Sequence, residues 1–286
     1  MNKRVIPESE LILADGRIYH LNLRPDQIAN TIIMVGDPDR VAKVSTYFDK
    51  IEHQVSSREL VTHTGFVGAK RLSVVSSGMG TDNVELVMTE LDALVNIDFD
   101  TRTVKDELTS LEIIRIGTSG CLQADIPIDA HLVSESALGL DTLMSFYNWE
   151  NDDKGTAIVD KVAKELQLSF KPYFADADQS LMNKYGAEMV KGTTITAPGF
   201  YAPQGREVRL NASIPGFVDK LAQMELPYSR FTNLEMETAG YYVMAQLLGH
   251  GMVSLNALIA NRARQEFSKD HEKSVDDLIR VVLGRI

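Results

Sequence analysis

An amide and a guanidinium two residues apart, Gln204 and Arg206, follow an aromatic pair, Phe200 and Tyr201, in a stretch broken by proline and glycine. Arginine is a rigid fork of donors, and glutamine carries both an acceptor and donors. Together they can answer the edge of a small planar heterocycle that presents C=O, N–H and C=O in a row, while the aromatic rings cover its faces. Taken alone, such a pair is more often an accident of a surface loop. Its meaning depends on what else the chain carries.

Three apolar runs end in glycine. The first, residues 31–35, stops at Gly36-Asp37-Pro38-Asp39-Arg40. It reads as a buried strand, a sharp turn at Gly36 and a helix with Pro38 in its first turn, since Val41, Val44 and Phe48 recur at helical spacing. Free N–H groups at a helix start favour an anion, and Arg40 can add a charge-assisted hydrogen bond. The alternative is a plain junction with Arg40 paired to Asp37 or Asp39. The second run, residues 72–77, leads into Gly78-Met79-Gly80-Thr81. The third, residues 111–116, leads into Gly117-Thr118-Ser119-Gly120 and contains Arg115. A charge in such a run must be paired or bound, because bare desolvation is costly. Arg115 is therefore either a salt-bridge partner of Glu235 or Glu237, or an anion-binding arginine whose cradle Thr118 completes. The G-x-G-x-x-G of dinucleotide sites is absent from all three turns.

Glu235-Met236-Glu237 precedes Thr238-Ala239-Gly240 and an apolar helical pattern at Tyr241, Val243, Met244, Leu247 and Leu248. Carboxylates near a helix start are favoured by its dipole and can grip vicinal hydroxyls, with Met236 as a soft apolar surface against a sugar. The alternative is an ordinary charged first turn with both glutamates in water.

These segments, taken together, resemble the nucleoside phosphorylase family, and within it the members that act on uridine. The resemblance runs from His20 to about Gln265, in family order. Gly36 to Arg40 is similar to the family's GDPxR loop, which implies Gly36 and Arg40 as phosphate ligands. Ser57-Arg58-Glu59 resembles its R-E pair, which implies Arg58 as an arginine reaching the neighbouring subunit's phosphate. Arg115 to Gly120 resembles R-I-G-T-[TS]-G, implying Arg115 as a third phosphate arginine and Thr118 between phosphate and ribose. Phe200 is implied as the ring packing on the base, and Gln204 and Arg206 as readers of its edge. Glu235, Met236 and Glu237 match the family's ribose-binding run, with Glu237 on the 2′ and 3′ hydroxyls. His20 falls where the family donates a histidine across the dimer to the 5′ hydroxyl.

The resemblance implies reversible phosphorolysis of uridine to uracil and ribose 1-phosphate, and leaves deoxyuridine open as a further substrate. Arg206, Gln204, Arg115 and Glu237 are then the residues that carry catalysis. Inorganic phosphate is the co-substrate, and no metal or organic cofactor is implied. Purine-specific relatives place an aspartate late in the chain to protonate N7; the corresponding run here is Ala260-Asn261-Arg262, and an asparagine cannot act as an acid. The open alternatives are a purine phosphorylase or nucleosidase of the same fold, or a non-catalytic nucleoside-binding homologue. Two departures bear on assembly. Gly78 to Asn83 lacks the family's G-x-G-G-P-S, which questions the interfacial monovalent cation associated with Glu59. A polar stretch at residues 96–110 resembles dimeric rather than hexameric members, which leaves homodimer and hexamer both open.

Residues this scattered need a framework that gathers strand ends. Runs at 32–35, 71–76, 112–116, 130–133, 193–196 and 253–260 read as strands. Patterns at 40–48, 83–93, 158–166, 179–184, 215–222, 238–249 and 275–283 read as helices. That alternation predicts one α/β domain spanning residues 1–286: a three-layer α/β/α with a central mixed, partly barrel-like sheet, the last detail being what the resemblance implies. A net charge of -11 argues against nucleic acid as a partner, while leaving a local arginine cluster free to bind phosphate. The chain has 1 cysteine, so it forms no intrachain disulfide and suits a reducing, cytoplasmic setting. No apolar run has the length of a membrane span. The histidines lack metal-ligand spacing.

Overall fold

The computed structural model describes residues 3–227 and 229–286. A single mixed sheet of 11 strands runs through its centre. The N-terminal part supplies β1 (Thr31–Val35), the hairpin β2 (Lys50–Ser57) and β3 (Leu60–Val67), β4 (Lys70–Ser76) and the long β5 (Glu112–Cys121). The rest supplies β6 (His131–Gly139), β7 (Tyr173–Asp176), β8 (Val190–Thr196), β9 (Phe231–Glu235), β10 (Gly251–Asn261) and the short β11 (Glu266–Phe267). Their lateral order is β11-β10-β6-β8-β9-β5-β1-β4-β3-β2, with β7 beside β6. β10 also pairs with β5 along its whole length, which closes β10, β6, β8, β9 and β5 into a ring. The other strands form an open wing on β5. The expected α/β/α arrangement with a partly barrel-like mixed sheet is what the chain adopts.

The helices are α1 (Pro38–Ser45), α2 (Thr81–Asn96), α3 (Asp153–Leu166), α4 (Gln179–Gly186), α5 (Phe217–Gln223), α6 (Thr238–Leu248) and α7 (His271–Leu283). β1 shows why they split into layers. Its side chains alternate: Ile32 and Met34 join the cluster under α2 and α6, whereas Ile33 and Val35 join the cluster under α1, α4 and α7. A strand buried on both faces reads as an unbroken apolar run, which is how β1 appears in the sequence. Each such side chain contributes about 1.5–3 kcal/mol when withdrawn from water. Helix starts are fixed by aspartate caps: Asp37, Asp152, Asp178 and Asp270 accept the amides of Asp39, Gly155, Leu181 and Lys273. Each cap contributes about 1 kcal/mol.

The ring has a polar lining. Ser134 Oγ lies 2.6 Å from Thr194 Oγ1, which donates to Asn233 Oδ1 at 2.9 Å. Asn233 Nδ2 donates to Ser119 Oγ at 2.9 Å, and Asn256 Nδ2 to Ser134 Oγ at 3.2 Å. All five residues are buried, so their polar groups satisfy one another in place of water.

Three segments differ from the sequence-based expectation. Residues 50–67 form the β2–β3 hairpin, and residues 173–176 form β7. Residues 231–235 form β9 rather than a polar turn leading into a charged helical turn, so Glu235 ends a strand and only Glu237 sits at the helix start, as the N-cap of α6. The polar stretch at 96–110 folds back as a two-stranded ribbon, Ile97–Asp98 with Thr103–Val104. No helix among the described residues is long and apolar enough to cross a membrane.

Candidate active site

β5 and β9 run antiparallel yet share only two residue pairs, Asn233 with Cys121 and Leu234 with Gly120. Their carboxyl ends therefore meet. β1 and β4 run parallel to β5 on its other side and end earlier, β1 beside Arg115, so that β5 continues past them along the cleft. A cleft of about 710 Å³ opens at this meeting point, a size suited to a small organic ligand. Ten of the residues singled out in the sequence line it: Gly36, Arg40, Arg115, Thr118, Phe200, Gln204, Arg206, Glu235, Met236 and Glu237.

One end of the cleft carries the donors and the positive charge that an anion would need. The chain leaves β1 at Gly36 and enters α1 at Pro38, with Asp37 Oδ1 capping the Asp39 amide at 2.9 Å. A helix start presents donors and the positive end of a dipole. Arg40 gives Nη1 to the Ile116 carbonyl at 3.2 Å and pairs with no carboxylate among the described residues. Burial pulls its pKa down, the Arg115 charge adds to this, and Asp37 opposes it. An anion bound beside Arg40 would relieve both penalties.

Arg115 is committed differently. Its Nη2 lies 2.6 Å from Glu237 Oε2 and 3.2 Å from Glu235 Oε2, and its Nη1 reaches Ser254 Oγ and Asn256 Oδ1 at 3.4 and 3.3 Å. The guanidinium curls back over Gly117, where an added Cβ would lie 1.9 Å from Nη1. Only glycine admits that path. Burial would lower the Arg115 pKa, but Glu235 and Glu237 outweigh it and the net shift is upward. One cation thus serves two buried carboxylates. The Glu237 carboxyl is raised in turn, by burial and the Glu235 charge against the pull of Arg115.

The two glutamates have distinct roles. Glu235 spends both oxygens inside the protein, accepting from Thr196 Oγ1 at 2.6 Å, the amides of Glu237 and Thr238, and Thr238 Oγ1. It sets the turn from β9 into α6. Glu237 accepts from Arg115 and, at 2.8 Å, from the Gly80 amide, whose φ of 94° lies in the region that favours glycine. Its carboxylate keeps lone pairs for ligand hydroxyls.

The other end is a corner in which an amide, a guanidinium and an aromatic ring are held together. Arg206 Nη1 donates to Gln204 Oε1 at 2.7 Å and to the Phe200 carbonyl at 2.6 Å, and its guanidinium lies 3.8 Å from the Phe200 ring centre. Gln204 is buried, whereas Phe200 and Tyr201 are exposed and meet edge to face. Arg262 donates to the Gln204 and Gly205 carbonyls at 3.0 and 3.4 Å and so ties this loop to the end of β10. Burial lowers the Arg206 pKa to about 10, with the Arg262 charge adding and Tyr201 partly offsetting. Arg262 holds this loop in place, a role not singled out from the sequence; only its position in the Ala260-Asn261-Arg262 run marked it. Asn261 faces away from the cleft chemistry. Its Nδ2 donates to the Gln123 and Ile126 carbonyls, both at 3.0 Å, and its Oδ1 accepts the Arg264 amide.

Two expected site residues lie elsewhere on the chain. Arg58 stands exposed at the tip of the β2–β3 hairpin with φ of 55°, and it does not line the cleft. His20 precedes the first strand of the sheet and pairs with Glu90 on α2.

Residues 30–286 match the profile of the Phosphorylase superfamily. The chain belongs to that family, and with membership comes phosphorylase-type action on nucleosides. Among particular relatives, it is similar to a uridine phosphorylase of Thermococcus kodakarensis, 30% identical over 259 residues that cover 91% of this chain and 83% of the other. It is also similar to a DeoD-type purine nucleoside phosphorylase of Vibrio cholerae, 24% identical with coverage of 92% and 96%. Among solved structures, a Trypanosoma brucei nucleoside phosphorylase described as showing uridine phosphorylase activity superposes with a TM-score of 0.89. That pair is 27% identical, with 96% of this chain and 98% of the other covered.

Proposed function

We propose that the protein catalyses reversible phosphorolysis of uridine to uracil and ribose 1-phosphate, with deoxyuridine as a further substrate. The observation that carries this reading is the base corner. Arg206 is in contact with both Gln204 and Phe200, a set with donors and an amide acceptor but no carboxyl group, and the three share the cleft lining with Ile259, Ala260 and Phe267. A uracil anion leaving through such a corner is met by positive charge and needs no proton from an acid. A purine leaves better when protonated at N7, and Asn261 has neither an acidic proton nor a free group to offer.

In this reading phosphate lies between the α1 start and Arg40, with Thr118 alongside, and attacks the anomeric carbon. The glycosidic bond lengthens first. Oxocarbenium charge on the sugar is offset by the phosphate, and charge on the base by Arg206 and Gln204. Preformed donors aimed at such developing charge typically contribute about 3–4 kcal/mol each. Glu237, facing the hydroxyls, and Met236, beneath the sugar, supply orientation. Arg115 acts here as a charge frame for the two glutamates, drawing Glu237 towards its ionised form against burial and the Glu235 charge.

We also propose that two subunits share their sites. Arg115 is already neutralised within its chain, which leaves Arg40 as the uncompensated cation beside a dianion. The exposed Arg58 at a hairpin tip is suited to supply another to a neighbour, and His20 to supply a 5′-hydroxyl contact.

The deciding experiment is a nucleoside panel assayed with and without phosphate, following free base. Strict phosphate dependence with uridine preferred over inosine is expected. Inosine preferred, or cleavage without phosphate, would replace this reading with the purine or the hydrolytic one.

A further inference from the structure

Glu90 is a mid-helix carboxylate of α2 with only 9% of its surface exposed, and among the described residues it pairs with no lysine or arginine. All its partners belong to the segment around His20. Oε1 and Oε2 accept the His20 amide at 3.1 and 3.2 Å, and Oε2 accepts the Leu21 amide at 2.8 Å. Oε1 also lies 2.7 Å from Nδ1 of the His20 ring. The backbone contacts alone would anchor the segment. The ring contact does something more, because a carboxylate only accepts hydrogen bonds.

We propose that Glu90 is a positioning residue that fixes the tautomer and direction of His20 for recognition of the substrate's 5′ hydroxyl. This rests on the assignment of His20 to the nucleoside. With Nδ1 bearing the proton that Glu90 accepts, the neutral ring presents Nε2 as a bare acceptor on its far side. Tyr19 packs edge-on at 4.8 Å and 80°, which limits rotation of the ring. A histidine side chain 29% exposed would otherwise sample several rotamers; here that freedom is given up before any ligand arrives. The geometry suits accepting an O–H from a primary alcohol.

The test compares uridine with 5′-deoxyuridine, which lacks that alcohol, on the intact protein. Glu90→Gln keeps an oxygen for the backbone amides but turns an amide N–H towards Nδ1, which inverts the tautomer and makes Nε2 a donor. The ratio of kcat/KM for uridine to that for 5′-deoxyuridine should fall about 5–10-fold in Glu90→Gln, mainly through KM, as expected for one hydrogen bond. His20→Ala should lower the same ratio, and the double variant should lower it no further. A ratio that falls in His20→Ala but holds in Glu90→Gln would reduce Glu90 to a backbone anchor and overturn the proposal. A ratio that holds in both removes the 5′-hydroxyl contact, and the proposal with it, while uridine phosphorolysis itself is still read from the same assay. Should Glu90→Gln not fold, ¹⁵N shifts of the His20 ring in the wild-type protein decide the matter. Protonated Nδ1 with bare Nε2 supports the proposal, and the reverse overturns it.

Discussion

Replacing Arg206 by alanine isolates the electrostatic part of base departure. The guanidinium makes two short hydrogen bonds within its loop and stacks on Phe200 at 3.8 Å. Its removal therefore has two consequences. The first is loss of a charged donor facing the leaving base, about 3–4 kcal/mol of transition-state stabilisation. The second is a looser Phe200, since a partly exposed cation–π contact contributes about 0.5–1 kcal/mol. The stacking loss acts on ground and transition states alike and so raises KM. The first loss falls on kcat. Together they predict a drop in kcat/KM for uridine of about 400–5000-fold, most of it in kcat. Arg206→Lys keeps charge but loses the fork that holds Gln204 Oε1, and should fall between wild type and alanine. The assay is release of free uracil at saturating phosphate. 5-Fluorouridine supplies a control, because its base anion is intrinsically more stable and should suffer a smaller loss. A uridine rate for Arg206→Ala close to wild type, or equal losses for both substrates, would refute the assignment of this corner to the developing anion.

Arg115→Ala should leave Glu235 and Glu237 buried without their counter-charge. It should lower stability by about 3–5 kcal/mol in urea unfolding and raise the phosphate KM of any folded protein; wild-type values of both would contradict the charge-frame role. Mixing Arg58→Ala with Arg206→Ala subunits gives hybrid dimers in which one site carries both lesions and the other neither. Such dimers should regain about half the activity of native ones, counting one intact site of two, and no recovery after verified exchange would confine Arg58 to its own chain. Asp141, in the turn after β6, has its carboxyl raised by burial, against hydrogen bonds from Tyr173, Leu143 and Thr81. Its folded pKa exceeds its unfolded one, so native stability declines as pH rises from about 3.9 through the folded value. Asp141→Asn should therefore melt above wild type at pH 8, with the gap closing as pH falls below the unfolded pKa; a gap independent of pH would rule out ionisation as its source.

The strand–glycine–helix junction beside Arg40 was legible because its physics is local. An apolar run buried on both faces, a glycine and a capped helix start leave a mark within about ten residues, as at Ile32 to Val44. The same holds for α6, whose apolar face recurs through Tyr241 and Met244. β9 left no such mark. Thr232, Asn233 and Glu235 are polar, yet all are buried, because they find partners on β5 and β8 far along the chain and at the start of α6. Periodicity assigns such residues to water. The β2–β3 hairpin was missed for the opposite reason: Lys50, Glu52 and Gln54 face solvent at a sheet edge and supply no apolar alternation. Sequence left Arg115 open between a salt bridge and an anion ligand, and the fold makes the salt bridge explicit. In the proposed reading, phosphate is then left to Arg40 and to a neighbouring subunit.

The polar lining of the ring has a consequence for how such a chain can diverge. Ser134, Thr194, Asn233, Ser119 and Asn256 pass hydrogen bonds from one to the next, so each residue's identity sets what its neighbours must donate or accept. An apolar core tolerates drift by trading one shape for another of similar volume. A directional chain does not, since a single Thr→Val change strands a buried partner at about 1–3 kcal/mol. A change at one of these positions calls for a matching change at the next if every buried group is to stay paired. The outer faces of the same strands can be rewritten residue by residue, and the cleft at their ends keeps its shape while its sequence surroundings turn over.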